Sequence, residues 1–176
     1  MSATTLDISR ALTIDGWMEP AHLEWLAEQA SRHQRIVEVG SYQGRSTRVL
    51  ADNTDGVVYA LDNWKGPWEA DISTELRGQL FSIFQENLKD RIASGKVIPI
   101  RCDHAFAPSG IRPDMVFIDG DHSYWSVHRD VSFWKSEIVS GGLMSGDDWD
   151  CLQIRHVVRE LLGEPQITRA IWSIQV

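Results

Sequence analysis

Short apolar runs alternate with segments of helical period along almost the whole chain, and that alternation leaves few folds open. RIVEVG at 35–40 and VVYALD at 57–62 read as strands, the first stopped by Gly40. KVIPIRC at 96–102 is a third strand. Its Pro99 has no N–H to donate, which suits a sheet edge or a strand end. DMVFIDG at 114–120 and GGLMSGDD at 141–148 are the fourth and fifth. ITRAIWSIQV at 167–176 has the β-branched content of a sixth, expected as a strand or a folded-back hairpin.

The segments between them repeat at helical spacing. Pro20 opens one with Leu23, Leu26, Ala27 and Ala30 on a single face, and proline is at home in a helix's first turn. Ser46 to Ala51 is a short helix directly after the first strand. Leu76, Leu80, Phe84 and Leu88 recur every fourth residue, and Val127, Val131, Trp134 and Ile138 at similar steps. Ile154, Val158 and Leu161 mark the last helix. Strands alternating with helices predict a mostly parallel central sheet covered on both faces. The 176 residues suit one domain, with a helical segment at 1–34, a core at 35–150 and a closing helix and strand at 151–176.

Sites in such sheets lie beyond the carboxyl ends of the strands, near the point where strand order reverses. All five carboxyl edges offer acid: Glu38, Asp62, Asp103, Asp119 with Asp121, and the pair Asp147 and Asp148. A single acid there would mean little, because helix N-termini attract carboxylates. Acid at every edge is a pattern.

EVGSYQGRST sets Gly40 and Gly44 between a strand and a helix, where glycines let backbone turn sharply and approach a ligand. The dinucleotide fingerprint GxGxxG is absent, since Tyr42 and Arg45 stand where it needs glycine. Taken alone, the loop is equally a plain strand-to-helix turn. Asp62, roughly twenty residues on at a strand end, can accept both hydroxyls of a ribose. Loop and acid together point to an adenosine-containing ligand.

IVEVGSYQGRST, the strand ending in Asp62, and FIDGDHSY followed by GGLMSGDDW together resemble the class I S-adenosylmethionine-dependent methyltransferases. The likeness is to the metal-dependent O-methyltransferases of macrocin and catechol type, and it covers about residues 16 to 150. It implies an α/β fold with a single Rossmann-like domain. It also implies that Ser46 holds the methionine carboxylate, that Glu38 sits near the amino group, and that Gly40 lies under the cofactor with Tyr42 beside it. Asp62 would bind the ribose, Asp103 would border the adenine, and Asp119 would stand between cofactor and metal.

The same resemblance makes Asp119, Asp147 and Asp148 ligands of a divalent metal. Three carboxylates suit a hard cation such as Mg²⁺ or Ca²⁺, and without one they would raise each other's pKa. Asp121 and His122 become the candidates for the base that removes the acceptor's proton, with Asp121 preferred. For His122, hydrogen bonding at the start of the next helix is the competing role. For Asp147 and Asp148 the competing role is a polar turn capping the helix at 151. Asp103 competes as a turn-capping acid.

Composition narrows the partners. The formal charge of −8, with no run of Lys and Arg, argues against nucleic acid and favours a small-molecule methyl acceptor. Neither a signal peptide nor an apolar run of membrane length is visible, and Cys102 and Cys151 have no CxxC spacing. A cytoplasmic protein is expected. The chain stops early for the family, so part of the final hairpin is expected to be missing or supplied by a partner in a homo-oligomer. The loop at 63–75, with Trp64 and Trp68 around Gly66-Pro67, is expected to act as a lid over the acceptor. A non-catalytic or metal-independent S-adenosylmethionine-binding protein stays open, and so does an NAD-dependent oxidoreductase.

Overall fold

The computed structural model describes residues 6–66, 72–102 and 108–176. Seven strands form one sheet: Arg35–Val39 (β1), Val57–Asp62 (β2), Val97–Arg101 (β3), Met115–Ile118 (β4), Leu143–Gly146 (β5), Gln166–Thr168 (β6) and Ile171–Gln175 (β7). Their order is β3-β2-β1-β4-β5-β7-β6. β1 to β5 pair in parallel, while β7 runs antiparallel to β5 and folds back on β6. β3 is an edge strand, as Pro99 suggests. The final hairpin is built from this chain's own residues, with Thr168 opposite Ile171, so the expectation of a missing part is corrected.

Alternation along the strands explains why helices cover both faces. Ile36, Val58, Ala60, Met115 and Phe117 point to one side. There they meet helices Pro20–Ala30 (α1), Arg45–Asn53 (α2) and Thr74–Asn87 (α3). Val37, Val39, Val116, Ile118 and Met144 point to the other, against Tyr124–Glu137 (α5) and Leu152–Leu162 (α6). The expected faces are buried: Leu23, Leu26, Ala27 and Ala30 in α1, Leu80 and Phe84 in α3, and Val127, Val131 and Trp134 in α5. A short helix Lys89–Ala93 (α4) and a 3₁₀ turn at Ala11–Thr13 have no clear sequence signal. Both are too short to show a period. Among the described residues no helix is long and apolar enough to cross a membrane.

Trp64 departs from expectation. Expected in a lid over the acceptor, it is core, 2% exposed and packed between Phe81 and Phe84 at centroid distances of 4.6 and 4.9 Å. Its indole N–H is satisfied by the carbonyl of Tyr42 at 2.8 Å, which is what lets a tryptophan bury completely. Trp68 lies outside the described residues.

Candidate functional site

The strand order reverses between β1 and β4, and there the two carboxyl ends nearly touch. Gly40 has φ of 90°, and a Cβ on it would lie 2.1 Å from the Asp119 carbonyl oxygen. No other residue fits that position. Gly44 then begins α2 at φ 93°, in a space closed by Leu88 and Phe84 of the neighbouring helical segment. No side chain caps the start of α2, so its first N–H groups, around Ser46, stay available to an anion.

Glu38, one residue before the end of β1, is fully buried. Its Oε2 accepts hydrogen bonds from the hydroxyls of Ser41, at 2.6 Å, and Thr47. Burial pushes its carboxyl above the usual range, and the hydroxyls of Ser41, Ser46 and Thr47 pull it part of the way back. Its Oε1 is buried with no hydrogen bond of ordinary geometry. A buried acceptor without a donor is costly, and it fits an incoming ammonium group.

Asp62 is held by backbone alone. Its two oxygens accept the N–H groups of Tyr42 at 2.8 Å and Trp64 at 2.7 Å. Tyr42 and Trp64 both have positive φ, 45° and 51°, and the Trp64 side chain locks the pair by bonding back to Tyr42. Each Asp62 oxygen keeps a second lone pair, which suits the two hydroxyls of a ribose. Trp17, 65% exposed, stacks on Tyr42 at 4.7 Å and extends this wall. Asp103 lies outside the described residues.

Across the switch point, β4 and β5 bring their acids together. One ligand atom each from Asp119, His122 and Asp148 lies within 4.8 Å of the others. His122 Nε2 stands 2.8 Å from Asp148 Oδ2. Asp148 has φ of 60°, the left-handed turn that brings its carboxylate to this side. Asp147 behaves differently. It is buried, its Oδ1 accepts the Asp148 N–H at 2.9 Å, and its Oδ2 faces His22 Nδ1 of α1 at 3.4 Å. Burial, then the charges of Asp147, Asp148 and Glu38, hold the Asp119 carboxyl well above its ordinary range. Asp147 is raised by burial and by Asp148. Asp121 is exposed, and its Oδ1 accepts the Ser123 N–H at 2.7 Å as α5 begins.

The expected metal trio Asp119, Asp147 and Asp148 is therefore adjacent, but the cluster with converging ligand atoms contains His122 in the place of Asp147. Two carboxylates and an imidazole form a donor set that fits a divalent cation. His22 was not visible as a site residue. It precedes an apolar helical face in sequence, and only the packing of α1 on the sheet brings it to β5.

Solved structures share this arrangement of strands. The chain is similar to the SAM-dependent O-methyltransferase of Thermotoga maritima, with a TM-score of 0.66 and 15% identity over 92% of this chain and 57% of that one. It is also similar to the SAH-bound methyltransferase of Podospora anserina, with a TM-score of 0.65 and 14% identity over 90% of this chain and 79% of that one. The fold is thus that of the Rossmann-like S-adenosylmethionine-dependent methyltransferases. The family itself is fixed by sequence: the chain belongs to the methyltransferase-domain family, whose model matches residues 37–149. A curated relative, adenylosuccinate synthetase of Leishmania donovani, is 24% identical over 124 residues; the chain spans 16% of that protein's length. The activity of that protein does not carry over on so small a share.

Proposed function

We propose that this chain transfers a methyl group from S-adenosylmethionine to a hydroxyl of a small molecule, a sugar, polyketide or phenolic, with the help of a divalent cation. One observation carries the proposal: the Gly40 loop with Asp62 and an acid–histidine cluster flank the same switch point, joined where Gly40 meets the Asp119 backbone. Asp62 would accept the ribose hydroxyls through the lone pairs its backbone bonds leave free. Glu38 Oε1 would accept the ammonium group, and the uncapped start of α2 near Ser46 would hold the carboxylate.

Bound there, the cofactor supplies an electrophilic methyl on a sulfonium, displaced in line by the acceptor oxygen. Asp119, Asp148 and either His122 or Asp147 would hold the cation, and a cation held there would lower the pKa of an acceptor hydroxyl. Asp121 then takes the acceptor's proton; it is solvent-accessible and its orientation is set by the Ser123 N–H. A net charge of −8 supports a small acceptor over a nucleic acid, and two cysteines that are not bonded to each other support a cytoplasmic setting.

A second assignment has one observation in its favour. His122 Nε2 at 2.8 Å from Asp148 is also the geometry of an imidazole base oriented by a carboxylate, which needs no cation. Calorimetry separates the cofactor classes: S-adenosylmethionine and S-adenosylhomocysteine should bind, and NAD should not. Asp62→Ala should weaken S-adenosylhomocysteine binding by about 2–3 kcal/mol, the loss of charge-assisted hydrogen bonds. Equal affinity in that variant would remove the ribose assignment. Asp121→Asn should lower turnover by roughly 10²–10⁴-fold with cation binding intact.

A further inference from the structure

We infer that His122 is a ligand of the cation and that the site therefore selects a divalent first-row transition ion over Mg²⁺. The ion's catalytic purpose rests on the methyltransferase proposal above, but the coordination does not.

Ligand atoms held about 2.0–2.1 Å from one ion lie about 3 Å apart when adjacent and about 4 Å apart when opposite. His122 Nε2 and Asp148 Oδ2, at 2.8 Å, have the spacing of adjacent ligands. The full set with Asp119, within 4.8 Å, closes on an ion with small side-chain shifts. Asp147 is not in that converging set: its Oδ1 accepts the Asp148 N–H and its Oδ2 faces His22 on the α1 side. Asp119 gives an independent pointer. Half-buried and crowded by acids, its carboxylate accepts no hydrogen bond from any described residue. The nearest cationic group to it is the His122 imidazole, and an ion between it, Asp148 and His122 would offset the crowded negative charge.

The identity of the ion follows from the donors. Mg²⁺ favours oxygen ligands and near-ideal octahedral geometry, whereas imidazole suits the transition ions. Two carboxylates with one imidazole neutralise a double charge and leave positions open for water or an acceptor.

The test uses the full chain stripped of metal with a chelator, titrated calorimetrically with Co²⁺ and, separately, Mg²⁺. Wild type should bind Co²⁺ at least about 10-fold more tightly than Mg²⁺. His122→Asn should lose roughly 10–100-fold in Co²⁺ affinity while Mg²⁺ binding changes little. His122→Asp, which restores an all-oxygen set, should shift preference back toward Mg²⁺, and circular-dichroism melts verify that both variants fold. The inference is overturned if wild type prefers Mg²⁺, if it binds neither ion, or if His122→Asn holds Co²⁺ as tightly as wild type. S-adenosylhomocysteine binding is measured on the same samples. Its failure beside the expected metal pattern would end the methyltransferase proposal and leave the ligand assignment standing. The opposite pair of results would do the reverse.

Discussion

Two groups of charges sit in this molecule, and they are built on opposite terms. On α2, Arg48 and Asp52 are buried to 3% and 4% side-chain exposure and bond to each other at 2.7 Å. Arg48 also reaches Asp90 at 2.6 Å, Arg91 reaches Asp52 at 2.6 Å, and Arg10 reaches Asp90 at 2.9 Å. Every acid there has a guanidinium, and the Arg48 hydrogen bond holds Asp90 at a pKa of about 2. At the carboxyl edge, Glu38, Asp119, Asp147 and Asp148 gather with histidines and, among the described residues, no arginine pairs with them; Asp119 is pushed far the other way. Balanced charge joins α2 to α4. Unbalanced charge costs stability, and a fold retains it where something positive is to arrive.

Breaking the balanced group should have the larger effect. Arg48→Ala leaves Asp52 buried with only Arg91, so urea unfolding at pH 7 should show a loss of about 3–5 kcal/mol. A loss under about 1 kcal/mol would mean that the network is solvated in practice.

The unbalanced group should respond with opposite sign. In chelator-treated protein, Asp119→Asn should raise stability by on the order of 1 kcal/mol near pH 8. Because Asp119 titrates higher folded than unfolded, the folded wild type binds the extra proton above its ordinary value of 3.8, and its stability falls as pH rises through that window. The variant's advantage should therefore grow from pH 4 upward. A variant less stable than wild type at pH 8 would contradict this.

The smallest effect belongs to Asp90, whose side chain is 43% exposed, which limits its contribution to about 1 kcal/mol or less. Its folded pKa is depressed, so its stabilisation is present above the ordinary 3.8 and lost as pH falls toward about 2. The gap in unfolding midpoint between wild type and Asp90→Asn should hold steady from pH 7 to pH 4 and close below it.

The same contrast explains what could be read from the chain. The sheet, its covering helices, Gly40, Asp62 and the acids after β4 and β5 are legible because strand ends announce themselves by local pattern. Arg48 in its ion network, His22 against Asp147 and Trp64 in the core are not. Each depends on which helix packs where, and no spacing in the sequence records that Lys89–Ala93 meets α2 or that α1 reaches β5. Local rules also overvalue adjacency. Asp147 and Asp148 are neighbours in sequence, yet the positive φ of Asp148 sends their carboxylates to different partners, His22 and His122.

The central claim is that the unbalanced edge is a cation site. The most direct measurement is the melting temperature of chelator-treated wild type and Asp119→Asn as Co²⁺ is added. At about 100 times the dissociation constant, binding contributes about 2.7 kcal/mol, which is a rise of roughly 5–10 °C for a domain of this size. Wild type should show that rise and Asp119→Asn should not. A wild type unmoved by Co²⁺, or a variant that rises equally, would contradict the account.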